Sequence, residues 1–420
     1  MKVLVIGNGA REHAICHKLK ESKLVEKIYC APGNGGISQI ADCVDIKVDD
    51  LDKITEFSVK SKIDLVVIGP ELPLVLGLAD MLREKGIKVF GPDKKGARLE
   101  GSKSYSKEFM KKYGIPTAKY EVYTSSQDAK ENLGKFNVPV VVKADGLAAG
   151  KGVLICNTVE EAQNAIDSIM TEKKFGEAGD TVVIEEFLEG IESSLLCFAD
   201  GSTLIPMESA KDYKKAFAGD EGPNTGGMGC FSPNPVYTEE LKDYINKNIL
   251  ETTLKGLRYE GIDFRGVLFI GLMIKDGEAK VLEYNTRFGD PETEVVLPRL
   301  ESDLAEIMLK CIEGRLKEED LKWTDKKCVT VVLASGGYPE AYEKGKQITG
   351  LDMLDEDITV FHGGTRNAGG KILTDGGRVL AVTAVDEDMD MARKRVYRNI
   401  ERIKFEGMQY RKDIGMGICR

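Results

Sequence analysis

Short apolar runs separated by amphipathic stretches fill the first hundred residues. Strands are predicted at 2–6 (Lys2-Val3-Leu4-Val5-Ile6), 27–30, 65–68 and 87–90, and apolar spacing between them predicts helices from Ala10 to about Ser22 and from Leu74 to Lys85. Strands alternating with helices are the pattern of a parallel sheet with crossover connections. Each predicted strand runs into glycine or proline: Gly7-Asn8-Gly9, Ala31-Pro32-Gly33, Gly69-Pro70-Glu71 and Gly91-Pro92-Asp93. Ligands of open parallel sheets bind outside the carboxyl ends of the strands, so these four loops are expected to face one crevice.

Beyond Gly101 the pattern changes. A charged helix is predicted from Ser102 to Tyr113, then a strand at Tyr120–Tyr123, a helix from about Ser126, a strand at Val138–Lys143, a glycine-rich loop at 146–152, a strand at Val153–Cys156, a helix at Val159–Met170 and a strand at Thr181–Glu186. Antiparallel strands follow at Ser193–Ala199, Thr203–Pro206, Gly266–Lys275 and Ala279–Asn285, with a glycine-rich loop at 219–229 and a helix around 238–258. After Trp323, strands at 328–333 and 378–384 and a helix from Met389 to Phe405 complete the chain, and no fixed-period repeat is visible.

Composition narrows the function classes. With 420 residues, 42% of them hydrophobic, the chain is long enough for two to four domains at about 100–200 residues each. Its apolar runs are far short of the roughly 20 residues of a membrane span, and no signal-peptide pattern precedes the first strand, so a cytoplasmic protein without membrane contact is expected. A net charge of −10 disfavours nonspecific nucleic-acid binding. The nine cysteines include no C-x-x-C pair and are expected to be buried, inert thiols. Glycine, at 45 residues, exceeds the typical usage of about 7%, and much of the excess sits in a few loops.

Those loops carry the candidate chemistry. Gly7-Asn8-Gly9-Ala10-Arg11-Glu12 resembles a dinucleotide fingerprint but has Glu12 where the third glycine belongs, which argues against a dinucleotide. What survives is a tight turn whose free backbone N–H groups at a helix N-terminus suit a phosphate or polar group, with Arg11 adding charge. His13, Cys16 and His17 share a helical face, but the only other histidine is His362, so packing rather than metal binding is expected. Three histidines and no G-x-S-x-G elbow leave a nucleophile–histidine hydrolase unsupported. The stretch Lys143 to Gly152 is not a Walker A loop, because Gly152 follows Lys151, yet its small residues and two lysines suit a lid over polyphosphate. Glu185-Glu186-Phe187-Leu188 reads as a strand end able to hold an adenine by its main chain, with Glu192 available for ribose hydroxyls. Strand alternation puts Glu283 and Asn285 on one side and Tyr284 on the other, a hard-oxygen pair suited to Mg²⁺ bound together with phosphates. Arg287, Asp290 and Glu292 follow at once, and the loop from Asp220 to Gly229, with four glycines, reads as substrate-facing.

Taken together, GNGAREH at 7–13, GPE at 69–71, EGSK at 100–103, KADGLAAGKG at 143–152, EEFLEG at 185–190, GPNTGGMG at 222–229, EYNTRFGDPE at 283–292 and YRKDIG at 410–415 closely resemble the phosphoribosylamine–glycine ligase family of ATP-grasp enzymes, over essentially the whole chain. The resemblance implies an α/β and α+β multidomain fold. Its parts would be an N-terminal Rossmann-like domain at 1–101, an ATP-grasp central domain at 102–122 and 190–325, an ATP-grasp lid at 123–189 and a small α+β C-terminal domain at 326–420. It implies glycine, 5-phosphoribosylamine and ATP as substrates, Mg²⁺ or Mn²⁺ as cofactor, and a monomer or weak homodimer. Carried over by position, the ATP site would comprise Lys103, Lys143, Gly146, Ala148, Ala149, Gly150, Lys151, Gly152, Glu185, Glu186, Phe187, Leu188 and Glu192, with Glu283 and Asn285 as metal ligands. The substrate crevice would comprise Asn8, Gly9, Arg11, Glu71, Asp212, Asn224, Arg287, Gly289 and Asp290, with Arg287, Asp212 and Asp290 nearest the chemistry. Departures are Lys211 and Tyr213 in SAKDYKK at 209–215, and Glu294 where the family often has Gln. Another ATP-grasp carboxylate–amine ligase and a nucleotide-binding regulator without turnover are the competing readings.

Overall fold

The computed structural model describes residues 1–148 and 150–417. Its N-terminal part is a five-stranded parallel sheet of β1 (Lys2–Gly7), β2 (Lys27–Pro32), β3 (Asp42–Cys43), β4 (Leu65–Ile68) and β5 (Lys88–Phe90), in the order β3-β2-β1-β4-β5. Alternate residues of β1 and β4 feed two different cores: Val3, Val5, Leu65 and Val67 on one face, Leu4, Ile6, Val66 and Ile68 on the other. Burial on both faces explains why these strands read as unbroken apolar runs. β1 lies between β2 and β4, so the connections change direction there and a crevice opens at the carboxyl ends of β1 and β4.

Helices α1 (Ala10–Lys20), α2 (Leu51–Lys60), α3 (Glu71–Leu76) and α4 (Leu78–Glu84) make the crossovers. The single helix expected from Leu74 to Lys85 is thus two, divided at Gly77, whose φ of +99° lies in the left-handed region and ends α3. The Gly91-Pro92-Asp93 loop does not serve the crevice as expected. Gly91 N–H donates to the Arg265 carbonyl at 3.2 Å, and Asp93 caps α5 (Lys94–Gly101) by accepting from Gly96 N–H at 2.7 Å. α6 (Lys103–Tyr113) follows, capped by Ser102.

An antiparallel sheet comes next: β6 (Tyr120–Tyr123), β7 (Val140–Ala144), β8 (Val153–Cys156) and β9 (Val182–Glu186), ordered β6-β9-β7-β8. β6 pairs with β9 along its length, so a lid boundary at residue 123 falls inside a strand of the lid sheet. β10 (Ile191–Asp200) and β11 (Leu204–Pro206) begin the central body. The short strands β12 (Lys211–Asp212), β13 (Lys215–Phe217), β14 (Glu221–Asn224) and β15 (Gly229–Ser232) cross out of it, and the chain returns as the hairpin β16 (Arg265–Lys275) and β17 (Glu278–Asn285). The central sheet is β11-β10-β16-β17, packed against α6 and the helical segment 239–259 through Phe109, Met110, Ile249, Leu257 and Leu268.

The last part holds β18 (Lys327–Ala334), β19 (Ile358–His362), the hairpin β20 (Thr365–Ala368) and β21 (Lys371–Thr374), and β22 (Arg378–Asp386). Its main sheet runs β12-β15-β18-β22-β19, so β15 of the central segment pairs with β18 and crosses the expected boundary at 325/326. The last helix, Met389–Ile400, stops five residues before the expected Phe405. Gly364 and Gly376 bring two backbones together beside Arg378, a packing role for glycine in this part of the chain. No helix among the described residues is long and apolar enough to cross a membrane.

Candidate active site

The switch point between β1 and β4 is occupied by Glu12. Its Oε2 accepts from Gly9 N–H at 2.7 Å and its Oε1 from Arg11 Nε at 2.5 Å. Gly9 N–H is therefore satisfied within the turn, in place of the free donor expected there. Arg11 crosses to the Phe288 carbonyl through Nη1 at 3.2 Å. Burial opposes its charge, but Glu12, Asp290 and Glu71 outweigh that and hold it cationic. Asn8 is exposed, and its carbonyl accepts from Asn34 Nδ2 at 3.0 Å.

The 286–294 segment forms the opposite wall. Arg287 Nη2 lies 2.8 Å from Glu100 Oε1 and 3.3 Å from Asn285 Oδ1, and its Nη1 donates to the Phe288 carbonyl. Its Nε, 3.4 Å from Glu71 Oε2, is buried and makes no hydrogen bond. Burial pushes the Glu100 carboxyl up against the pull of Arg287, whereas at Glu71 Arg287 and Arg11 overcome burial and lower it. Glu100 also accepts from Thr286 N–H at 2.7 Å, which ties α5 to the wall. Asp290 pairs with Arg378 Nη1 at 3.0 Å, and the same nitrogen donates to the Gly226 carbonyl at 2.7 Å. Arg378 thereby clamps the glycine-rich loop to the Arg287 wall. Gly227 and Gly289 each lie against a carboxylate, since a Cβ on the first would meet Asp212 Oδ1 at 2.6 Å and on the second Glu292 Oε2 at 2.3 Å. Asp212 Oδ1 is buried without a hydrogen-bond partner, and burial with Glu292 nearby raises its carboxyl well above the usual range. Glu294 has both oxygens buried and unpartnered, and burial with Asp290 nearby raises it likewise.

Next to this crevice is a lysine-rich region. Lys143 Nζ lies 2.9 Å from Glu185 Oε1, and Lys107 Nζ lies 3.0 Å from Glu185 Oε2, with all three side chains buried. Burial pushes Lys107 down to about 8 despite Glu185. Lys103, at the start of α6, is also lowered by burial, and Glu283 opposes the shift. Lys214 pairs with Glu192 and lies 4.0 Å from Glu283. Burial would raise the Glu283 carboxyl, but Lys214, Lys143, Lys103 and Arg287 hold it down to about 2. Tyr284 points into the central core, its hydroxyl 2.6 Å from Thr253 Oγ1, so Glu283 and Asn285 share the opposite face of β17. Among the described residues no cluster of three or more His, Cys, Asp or Glu could hold a metal by itself. An ionised carboxylate and an amide oxygen do suit Mg²⁺, which takes few protein ligands and completes its shell with phosphate and water oxygens.

In the lid, Gly150 and Lys151 are exposed, and Lys151 Nζ donates to the Pro339 carbonyl at 3.0 Å. Gly146 N–H donates to the Ala178 carbonyl at 3.3 Å, the Ala148 carbonyl accepts from Lys151 N–H, and the Gly152 carbonyl accepts from Ala144 N–H; Ala149 lies outside the described residues. At the end of β9, Glu186 exchanges hydrogen bonds with the Lys119 backbone. Glu186, Phe187 and Leu188 border a cavity of about 670 Å³ with Tyr120, Phe136 and Met273, which the lysines around Glu283 do not line. Asn224 sits in the β13–β14 hairpin opposite Lys215, while Gly226 and Gly227 just beyond it reach the crevice.

Glu12, Glu100, Lys107 and Arg378 are absent from the residues expected from sequence. Glu100 lies inside EGSK, Lys107 stands one helical turn after Lys103, and Glu12 is the anomalous sixth position of the turn motif; Arg378 has no local signal. His13 does pack, accepting from His362 N–H at 2.8 Å through Nδ1. Burial lowers His13 to about 3 and His362 to about 4. Cys43 is exposed, unlike the other seven described cysteines, because β3 is a two-residue edge strand.

Three family descriptions match in sequence: the phosphoribosylglycinamide synthetase N domain at 1–100, its ATP-grasp (A) domain at 101–293 and its C domain at 328–417. A phosphoribosylamine–glycine ligase of Caldanaerobacter subterraneus subsp. tengcongensis is 49% identical, over 99% of this chain and 100% of its own. The crystal structure of the phosphoribosylamine–glycine ligase from Thermotoga maritima superposes with a TM-score of 0.84 at 37% identity, covering 99% of this chain and 100% of that one. A biotin carboxylase from Campylobacter jejuni reaches 0.78 at 15% identity, covering 100% and 95%, a likeness of fold.

Proposed function

The chain belongs to the phosphoribosylamine–glycine ligase family, and from that premise we propose how its own residues carry the ATP-dependent ligation of glycine to 5-phosphoribosylamine. A glycine carboxylate oxygen attacks the γ-phosphorus of ATP and ADP leaves, giving glycyl phosphate. The phosphoribosylamine nitrogen then attacks the acyl carbon, phosphate departs, and the nitrogen loses a proton. The substrate carboxylate is the first nucleophile, so the protein's work is positioning and charge neutralisation.

The observation that carries this reading is one ionised carboxylate, Glu283, among Lys103, Lys143, Lys214 and Arg287, next to a crevice walled by Arg11, Glu71 and Asp290. Lys103 and Lys143 take the ATP phosphates, the 146–152 lid covers them, and Glu186 to Leu188 with Glu192 hold the nucleoside. Glu185, between Lys107 and Lys143, fixes the lysine that reaches the phosphates. Glu283 and Asn285 hold Mg²⁺ or Mn²⁺, which supplies charge neutralisation at the phosphates. Arg287, with an unused Nε–H, receives the glycine carboxylate and its acyl phosphate. Asp212, with an unpartnered oxygen beside Glu292, suits the glycine ammonium, whose positive charge favours the ionised form of that raised carboxyl, and we assign the proton released in amide formation to Asp290. Asn8, Gly9, Arg11, Glu71 and Gly289 line the phosphoribosylamine side, and Asn224 is assigned to it through the loop that carries Gly226 and Gly227 into the crevice. The units 1–101, 102–122 with 190–325, 123–189 and 326–420 are proposed as functional units; β6 runs across the limit at 122/123, and β15 of the central unit pairs with β18 of the last.

Buried thiols suit a reducing compartment, and we place the enzyme in the cytoplasm as a monomer or weak homodimer, a state that light scattering reads directly. The deciding assay supplies ATP, Mg²⁺ and phosphoribosylamine generated in situ, with and without glycine. Glycine-dependent release of ADP and phosphate is expected; turnover that ignores glycine, or that follows bicarbonate instead, refutes the assignment.

A further inference from the structure

Open parallel sheets ordinarily leave the switch point free for a ligand to reach between two strand ends. Here the ends of β1 and β4 close on a side chain. Glu12 is 2% exposed, and a Cβ on Gly7 or Gly69 would come within 2.5 or 2.1 Å of it. Both carboxylate oxygens are engaged, Oε2 by Gly9 N–H at 2.7 Å and Oε1 by Arg11 Nε at 2.5 Å. A buried carboxylate persists only where hydrogen bonds and a counter-charge hold it, and the 7–9 turn and Arg11 provide both. Arg11 then spans the crevice to the Phe288 carbonyl, one residue from Arg287 and two from Asp290. The chain of contacts runs from the parallel sheet through Glu12 and Arg11 to the wall that carries the chemistry.

We propose that Glu12 is a positioning residue for phosphoribosylamine: its carboxylate fixes the 7–9 turn and the Arg11 guanidinium as the floor of the crevice, while making no contact with ATP. This rests on the reading of the crevice as the phosphoribosylamine site.

Glu12→Gln keeps the shape and removes the charge. It is expected to raise the KM for phosphoribosylamine at least tenfold while the KM values for ATP and glycine stay within twofold. In an Arg11→Met background the same change should add less than twofold, because the partner through which Glu12 acts is gone. Should Glu12→Gln fail to fold, the split is read on Glu12→Asp, which keeps the charge but shortens the reach to Arg11. An unchanged phosphoribosylamine KM, an equal rise in all three KM values, or full additivity with Arg11→Met overturns the proposal. Wild-type protein without glycine-dependent turnover would instead overturn the reading of the crevice itself.

Discussion

Glu283 concentrates the electrostatics of the site in one group. Four cations hold its carboxyl down to about 2 against the pull of burial, so it stays ionised over the whole working range of an enzyme. Glu283→Gln should lower turnover at limiting Mg²⁺ at least tenfold, about 1.4 kcal/mol of transition-state stabilisation, with partial recovery at saturating Mg²⁺. Near-normal activity at limiting Mg²⁺ would place the metal elsewhere. The pairing of Glu283 with Asn285 was legible in sequence because strand alternation alone puts them on one face. The company they keep was not, since Lys214 lies in a different segment and Lys107 makes its pair with Glu185 across two elements. Glu12 shows the same division. Its anomaly in the turn motif is visible in the string of letters, but its carboxylate reaches the switch point only because β1 and β4 are neighbours.

At the scale of elements, local pattern predicts best where a strand is buried on both faces or a helix carries its own cap. β1, β4, β7 and β9 match their expected positions within a few residues. The misreadings come from competing local chemistry: Gly77 divides one expected helix, and Asp93 leaves the crevice to cap α5. Two-residue β3 and β12 exist only because a longer neighbour supplies their hydrogen bonds. The lid loop at 146–152 belongs at this scale too. Lys151 and Gly150 are exposed, and Lys151 bridges to Pro339 of the C-terminal part. Limited trypsin digestion is expected to cut after Lys151 in the protein alone and several-fold more slowly with ATP and Mg²⁺. Equal rates would argue against a lid that responds to nucleotide.

Across the whole molecule, the N-terminal and C-terminal parts meet through Phe361 against Ala10 and Ala14 and through the His13–His362 contact. Both rings are buried and lowered in pKa, to about 3 and about 4, below the usual value near 6.5. Between about pH 6.5 and those values the unfolded chain binds protons that the folded one does not, so stability falls as pH falls through this window. Thermal melts should show a steep loss of Tm from pH 7 to pH 4, and His362→Gln should flatten the slope; a parallel slope would assign the loss to carboxylates. Arg378, reaching from β22 to Asp290 and the Gly226 carbonyl, joins the C-terminal part to the central part over the site. The sequence by itself determined the alternation of strands and helices, the glycine-rich loops, the hard-oxygen pair on β17 and, through its long motifs, the family. Only the tertiary structure decided which charges meet: that Glu12 closes the switch point, that Arg378 clamps the glycine loop, and that β15 belongs to the C-terminal sheet. The physical reason is range. Backbone periodicity and turn chemistry act over a few residues and are written locally, whereas ion pairs and sheet partners join residues tens to hundreds of positions apart and exist only once the chain has closed around them.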